Sequence, residues 1–313
     1  MSVADPPGAM RLETGIWLVG AAGMLGRQLA GEFAARGWAF FASDREVDIR
    51  DPRQLEATAR SRRIAWIVNC AAFTAVDRAE DEPEAALAVN ALGVENLARL
   101  AGEIGAKLIH FSSDYVFAGD RDAPYLELDE PNPLSRYGWS KLQGELRLAS
   151  RLDRHFLLRV SWLYGVHGPN FVHTMLRVFA EQEKARVVND QFGSPTYAAL
   201  LARNVAGLVA ADSERFGTYH YCDAGVISWF DFAVAIQELA LQTGMIVKKI
   251  PVEAISSREF TTRAQRPARS VLDCAKVQAE LGFRVHPWRS NLEDFFAEKA
   301  WHAAHEDPHG GRA

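Results

Sequence analysis

The chain is expected to be an α/β protein, with a doubly wound parallel sheet and a smaller α/β substrate-binding lobe. Three observations predict this. Glycines at regular spacing, Gly20-Ala-Ala-Gly23-Met-Leu-Gly26, stand between an apolar run and a helical pattern. Short apolar runs then alternate with helical stretches through the first half, as strands joined by crossover helices do. Finally, Tyr137 and Lys141 lie four residues apart after Pro131 and Pro133, on one face of an expected helix.

The elements follow in order. Ile16-Trp-Leu-Val-Gly20 reads as a buried strand, and the helix after the glycines runs through Leu29, Phe33 and Ala34 to a stop at Gly37. Strand, glycine turn and helix form the setting of a dinucleotide site. The glycines permit a tight turn and close backbone approach, and the helix N-terminus faces a pyrophosphate. Gly20, Gly23, Met24, Leu25 and Gly26 are therefore cofactor-binding candidates, although the spacing is G-x-x-G-x-x-G rather than G-x-G-x-x-G. The next strand, Trp38 to Ser43, ends at Asp44-Arg45. An acid there suits the ribose hydroxyls of NAD, and an arginine suits the 2′-phosphate of NADP, so the pair gives opposing signals. Asp48 is a further candidate in this turn.

Ala65–Ala72 reads as a strand. Pro83 opens a helical stretch towards Ile104, ended by Gly105. Lys107–Ser113 is a strand, Leu134–Leu152 a helix and Phe156–Leu163 another strand. The second half is mixed, with helices near Phe171–Glu183, Ala198–Ala211 and Trp229–Gln242 and a strand at Lys248–Pro251. These elements predict a Rossmann-like dinucleotide domain over 15–165 with return segments around 197–223. The substrate lobe takes 166–196 and 224–303. Residues 1–14 and 306–313 carry no apolar period and are expected to be flexible tails.

Composition narrows the function classes. The 313 residues carry a net charge of −5, which gives no reason to expect nucleic acid or an anionic membrane as partner. No apolar run reaches membrane-spanning length and no signal-peptide pattern appears. The three cysteines, Cys70, Cys222 and Cys274, are scattered, with neither metal-ligand nor disulfide-framework spacing. A cytoplasmic protein without a metal site is expected.

In an open α/β sheet, ligands bind beyond the carboxyl ends of the strands. Ala71 and Ala72 are small residues at one such end, where backbone could lie close to a nicotinamide ribose. Ser112 and Ser113 end the next strand, and Ser113 could place a hydroxyl beside Tyr137. A hydroxyl, a phenol and an ammonium together polarise a carbonyl and protonate its oxygen as hydride arrives at carbon. A nearby cation favours phenolate, so Lys141 is expected to lower the Tyr137 pKa. Trp162 ends the following strand, as core packing or as an aromatic plate against a ligand.

These features, with Asn90 and the strings Phe73-Thr-Ala-Val-Asp-Arg-Ala-Glu80, Ser112-Ser-Asp-Tyr-Val-Phe117, Asn189-Asp-Gln-Phe-Gly-Ser-Pro-Thr196 and Arg266-Pro267, carry a resemblance. The chain resembles the dTDP-4-dehydrorhamnose reductase family of the extended short-chain dehydrogenase/reductase superfamily, over roughly residues 16 to 300. The resemblance implies hydride transfer to C4 of dTDP-4-dehydro-β-L-rhamnose, with NADP(H) favoured and NAD(H) admitted. It implies Tyr137 as acid, Lys141 as its partner and ribose ligand, and Ser113 at the carbonyl oxygen, where the family often has threonine. It also implies Asn90 and Ser112 at the cofactor. Asp114, Tyr115 and Trp162 would line the sugar pocket, Thr74 would reach the sugar or the diphosphate, and Asn170, Gln191 and Arg266 would lie near the diphosphate. Phe73 stands where the family often has histidine or tyrosine. Some relatives dimerise, so a homodimer is admitted. Two other readings stay open: a reductase of another nucleotide 4-keto-6-deoxyhexose, and a non-catalytic protein like the regulatory beta subunit of methionine adenosyltransferase.

Overall fold

The computed structural model describes residues 15–305; the two expected tails lie outside the described residues. The chain opens with β1 (Gly15–Val19), α1 (Met24–Ala35), β2 (Phe40–Ser43), α2 (Pro52–Ala59) and β3 (Ile64–Asn69). Two short helices, α3 (Arg78–Asp81) and α4 (Pro83–Leu87), lead through a π-helical turn at Ala88–Gly93 into α5 (Val94–Ile104). Next come β4 (Lys107–Ser113), a 3-10 turn at Asp114–Val116, α6 (Arg136–Arg151), β5 (His155–Val160) and β6 (Leu163–Tyr164). The second half holds α7 (Phe171–Glu181), β7 (Ala185–Val188), β8 (Phe192–Gly193), β9 (Thr196–Tyr197), α8 (Ala198–Ala210) and β10 (Gly217–Tyr221). It closes with β11 (Ile227–Ser228), α9 (Trp229–Gln242), β12 (Val252–Ile255), α10 (Ala275–Leu281) and α11 (Trp288–His305).

Six strands form one parallel sheet in the order β10-β5-β4-β3-β1-β2. The order reverses between β1 and β3, and the crevice beyond these two strands is the expected ligand position. One face packs Leu29, Phe33, Trp66, Phe156 and the apolar side of α8. The other packs Trp17, Ile67, Leu97 and Leu148 from α5, α6 and their strands. A separate core, around Met175, Tyr197, Phe232, Ile236 and Phe295, joins α7, α9 and α11.

Local chemistry accounts for the helix boundaries. Ser135 caps α6 by accepting the Gly138 N–H at 3.1 Å, directly after the proline-rich approach. Ser228 and Asp231 form a reciprocal capping box on α9. Gly105 ends α5 at φ 71°, in the left-handed region.

Three expectations are corrected. The strand expected at Lys248–Pro251 lies at Val252–Ile255, parallel to β7. The Ile250 carbonyl is already taken by the Gln237 side chain at 3.0 Å, and Lys249 is exposed. The strand expected over Phe156–Leu163 stops at Val160, because Trp162 adopts φ 45° and turns the chain out of the sheet. The helix expected from Pro83 to Ile104 contains the π turn, where α6 presses its Gly144 against the Asn90 carbonyl.

Candidate active site

Gly20 sits at φ 73° where β1 enters the crevice, and a Cβ there would lie 2.5 Å from the Ala71 nitrogen. Ala71 itself is held by its N–H bond to Asn69 Oδ1 at 3.0 Å. A Cβ on Gly26 would strike the Gly20 carbonyl, so α1 approaches its own strand backbone as a dinucleotide turn requires. No side chain caps α1 at Gly23, which leaves first-turn N–H groups for an anion. This cradle fits a pyrophosphate. Leu25 is 6% exposed and packs in the core, so only its backbone faces that position. Arg45 is exposed on the adjoining turn, beside half-buried Asp44. Asp48, half-buried on the same turn, is already paired. Its carboxylate takes Arg50 in a two-pronged ion pair at 2.6–3.0 Å, and Arg50 holds its pKa below the ordinary carboxylate value.

Ser113 ends β4, and α6 carries Tyr137 and Lys141 beside it. Burial pushes the Tyr137 phenol up to about 12; its hydrogen bond with Ser113 opposes this, and the Asp114 charge adds to it. The expected lowering by Lys141 is thus not what dominates. Lys141 is buried and donates from Nζ to the Phe111 carbonyl at 2.6 Å. Burial lowers its pKa to about 8, with the negative charge of Glu145 opposing.

Two other expected cofactor contacts have their polar atoms engaged elsewhere. Asn90, 0% exposed, accepts the Phe73 N–H at 2.8 Å and donates to the Phe73 carbonyl and to Ser140. Ser140 donates to the Tyr137 carbonyl, so Asn90 braces α6 against the loop after β3. Ser112 turns its hydroxyl to Glu145 at 2.5 Å, inside a buried pair of Glu145 with Arg159.

A cavity of about 680 Å³ opens beside this group and is lined by Tyr115, Gln191 and Arg266 of the expected substrate residues. That volume suits a small organic ligand. Tyr115 stands edge-on to Tyr137, with ring centroids 5.9 Å apart. Arg266 donates to Asp77 at 2.9 Å, while its Nε is buried without a partner among the described residues. The other expected substrate residues do not line this cavity. Thr74 is exposed. Asn170 is spent as the cap of α7, accepting the His173 N–H and donating to the Gly165 carbonyl. Asp114 is 1% exposed and faces Ser113 and Ser270. Trp162 lies flat on Trp229, with centroids 3.6 Å apart and planes at 10°. The same ring is pressed against Gly193, where a Cβ would come within 2.7 Å.

The comparisons with known proteins agree with this geometry. The family model described as RmlD substrate binding domain matches residues 14–300. The chain belongs to the RmlD substrate binding domain family. It is 38% identical to the dTDP-4-dehydrorhamnose reductase of Escherichia coli strain K12 over 290 residues, 90% of this chain and 97% of that one. The crystal structure of the Bacillus anthracis dTDP-4-dehydrorhamnose reductase in complex with NADP superposes with a TM-score of 0.86 at 38% identity. That match covers 92% of this chain and all of the other. The Thermus thermophilus UDP-glucose 4-epimerase complexed with NAD shares the fold, with a TM-score of 0.77 at 22% identity over 92% of this chain and 99% of that one. Among the described residues no helix is long and apolar enough to cross a membrane.

Within this RmlD-family site, sequence reading missed the aromatic and polar wall contributed by α7, β7 and α9. Trp229, Phe171, Gln182 and Arg186 line the cavity, and Phe171 packs on Trp229 at 4.6 Å. The Ser228–Asp231 capping box fixes where α9 begins, but nothing local to it says that its first residue meets Trp162. A Trp229→Ala variant is expected to raise the substrate KM by about tenfold, on the scale of aromatic stacking, and to leave the cofactor dissociation constant unchanged. Trp162→Ala acts through Trp229 and is expected to lower the melting temperature as well. Steady-state kinetics paired with thermal melts check both; an unchanged KM in Trp229→Ala would remove this wall from recognition.

Proposed function

We propose that this chain reduces the C4 ketone of dTDP-4-dehydro-β-L-rhamnose to dTDP-L-rhamnose, using NADPH by preference and NADH as well. The observation that supports it most is the meeting of Ser113 and Tyr137 at the sheet edge, where Tyr115 joins them to the cavity. The glycine cradle fits NADP(H), and the bound cofactor supplies hydride to C4. Tyr137 gives its phenolic proton to the ketone oxygen, and Ser113 holds that oxygen by a hydrogen bond. Lys141, anchored at the Phe111 carbonyl, places its charge on the same helix face as Tyr137. Arg266, with its unpartnered Nε, is assigned to the diphosphate. Gln191 and Tyr115 are assigned to the remainder of the nucleotide sugar. Against the non-catalytic alternative stands the reductase-like run Thr74-Ala-Val-Asp77.

Residues 15–165 with 197–223 form the cofactor half of this proposal, and 166–196 with 224–303 the substrate lobe. A homodimer and a cytoplasmic address belong to it through the family resemblance. The test is oxidation of NADPH and NADH with dTDP-4-dehydro-6-deoxyhexoses, with the product identified by NMR. Absence of turnover with every such sugar overturns the reading.

Cofactor choice has its own test. Arg45 is exposed and forms no ion pair among the described residues, so its fork is open to a 2′-phosphate. Arg45→Ala is expected to weaken NADPH by about tenfold, the scale of a hydrogen bond to a charged group, and NADH little. Titration of both cofactors reads the difference, and equal losses would separate Arg45 from the phosphate.

A further inference from the structure

Behind Ser113 lies a carboxyl group to which the reaction above gives no part. Asp114 Oδ1 accepts the Ser113 hydroxyl at 3.1 Å, and Oδ2 accepts the Ser270 hydroxyl at 2.5 Å. Ser113 Oγ accepts the Tyr115 N–H at 3.1 Å and is also bonded to Tyr137. Ser270 is 2% exposed, on a strap held to the body of the protein by backbone bonds from Ser270 to Phe192 and from Arg269 to Gly119. Four side chains therefore form one line, Ser270–Asp114–Ser113–Tyr137, buried from Ser270 to Ser113 and half-buried at Tyr137.

A hydroxyl carries one proton, so Ser113 can donate in one direction at a time. Opposite an ionised Asp114 it donates inward and has only lone pairs for the ketone oxygen. Opposite a neutral carboxyl whose proton is on Oδ1, it accepts from Asp114 and donates outward. We propose that Ser270 is a positioning residue of the reduction: by donating to Oδ2 it holds the acid proton of neutral Asp114 on Oδ1, and so aims the Ser113 proton at the ketone oxygen. Asp114 keeps its proton throughout; Tyr137 supplies the one that forms the product hydroxyl. The inference rests on the proposed reduction for its substrate.

The surroundings favour the neutral acid. Burial pushes Asp114 up to about 7, against the lowering effect of its bonds from Ser270, Ser113 and backbone N–H groups. The titratable groups facing it are the phenols of Tyr115 and Tyr137. The cations of the site do not offset that burial: Lys141 is tied to the Phe111 carbonyl and Arg266 to Asp77.

The test compares kcat against pH for the parent enzyme, Ser270→Ala, Ser270→Thr and Ser270→Cys. The parent is expected to lose kcat as pH rises through about 7, where Asp114 ionises. Ser270→Ala should lower the acidic plateau by about tenfold, the upper end of the scale of a hydrogen bond between neutral groups, with KM little changed. It should also move the decline to higher pH, since the lost bond favoured the anion. Ser270→Thr keeps the hydroxyl and should restore both features. Ser270→Cys fills the space with a weak donor and should behave as Ser270→Ala does, which covers the case of an unstable alanine variant. Carbon-13 NMR of aspartate-labelled protein reads the same ionisation without substrate. One carboxyl should titrate near pH 7, vanish in Asp114→Asn and move up in Ser270→Ala and Ser270→Cys. Parent-like profiles in Ser270→Ala or Ser270→Cys, or an unmoved carboxyl, overturn the inference. A parent protein that reduces no dTDP-4-keto sugar overturns the proposed function instead, and the NMR titration still decides whether Ser270 controls Asp114.

Discussion

A Tyr137→Phe variant is expected to bind NADPH as the parent does and to lose about a hundredfold to ten-thousandfold in turnover, the usual span for a general acid. The ring is retained, so its edge-on contact with Tyr115 and the packing of α6 survive. What disappears is the phenolic proton placed beside Ser113 at the end of β4. Single-turnover kinetics with NADPH, alongside a cofactor titration, separate the two effects. Near-parental turnover would remove Tyr137 from the chemistry. The remaining activity should fall further as pH rises past about 8, because Lys141 then loses its charge as well.

The largest expected change in stability comes from Arg159→Met. Arg159 and Glu145 form a buried pair at 2.7 Å, with Ser112 donating to the same carboxylate and His220 beside the guanidinium. Removing the arginine strands a carboxylate that is 4% exposed. Breaking a buried pair on one side costs about 3–5 kcal/mol, roughly 5–10 °C in melting temperature for a chain of this size. The double variant Arg159→Met with Glu145→Leu should regain most of that loss, since an apolar pair of similar volume leaves no stranded charge. Calorimetry of the two variants checks the prediction, and a single variant melting within a degree of the parent contradicts it. The catalytic face would register the change too. The Glu145 charge raises the Lys141 pKa, so a Glu145 driven neutral lets Lys141 lose its proton at lower pH.

The cofactor half of the molecule was legible because its signals are local. A glycine turn between an apolar strand and a helix, an Asp-Arg pair after the next strand, and a phenol four residues before a lysine each lie within a few residues of one another. The substrate side was less legible because its contacts are distant in sequence. Trp162 was read as a strand end, whereas its positive φ and its stack on Trp229 depend on a helix that begins 67 residues later. Asn90 and Ser112 stand where a cofactor contact was expected, yet their hydrogen bonds go to Phe73, Ser140 and Glu145. Motif position finds the neighbourhood of such residues; only the fold shows which way an amide or hydroxyl is turned. Ser270 carried no signal at all, since its partner Asp114 lies 156 positions away.

The way α6 is seated has a consequence for anyone engineering this enzyme. Two of its glycines are contact points: a Cβ on Gly138 would collide with the Tyr115 carbonyl, and one on Gly144 with the Asn90 carbonyl. Helix propensity ranks alanine above glycine by about 1 kcal/mol, so a stability screen guided by propensity would select both substitutions early. Each would instead shift the helix that carries Tyr137 and Lys141, away from the cavity wall in one case and from the π turn in the other. Thermostabilised libraries of this protein should therefore hold positions 138 and 144 fixed and seek their gains on the opposite, solvent-facing side, where Arg136 and Leu146 are exposed.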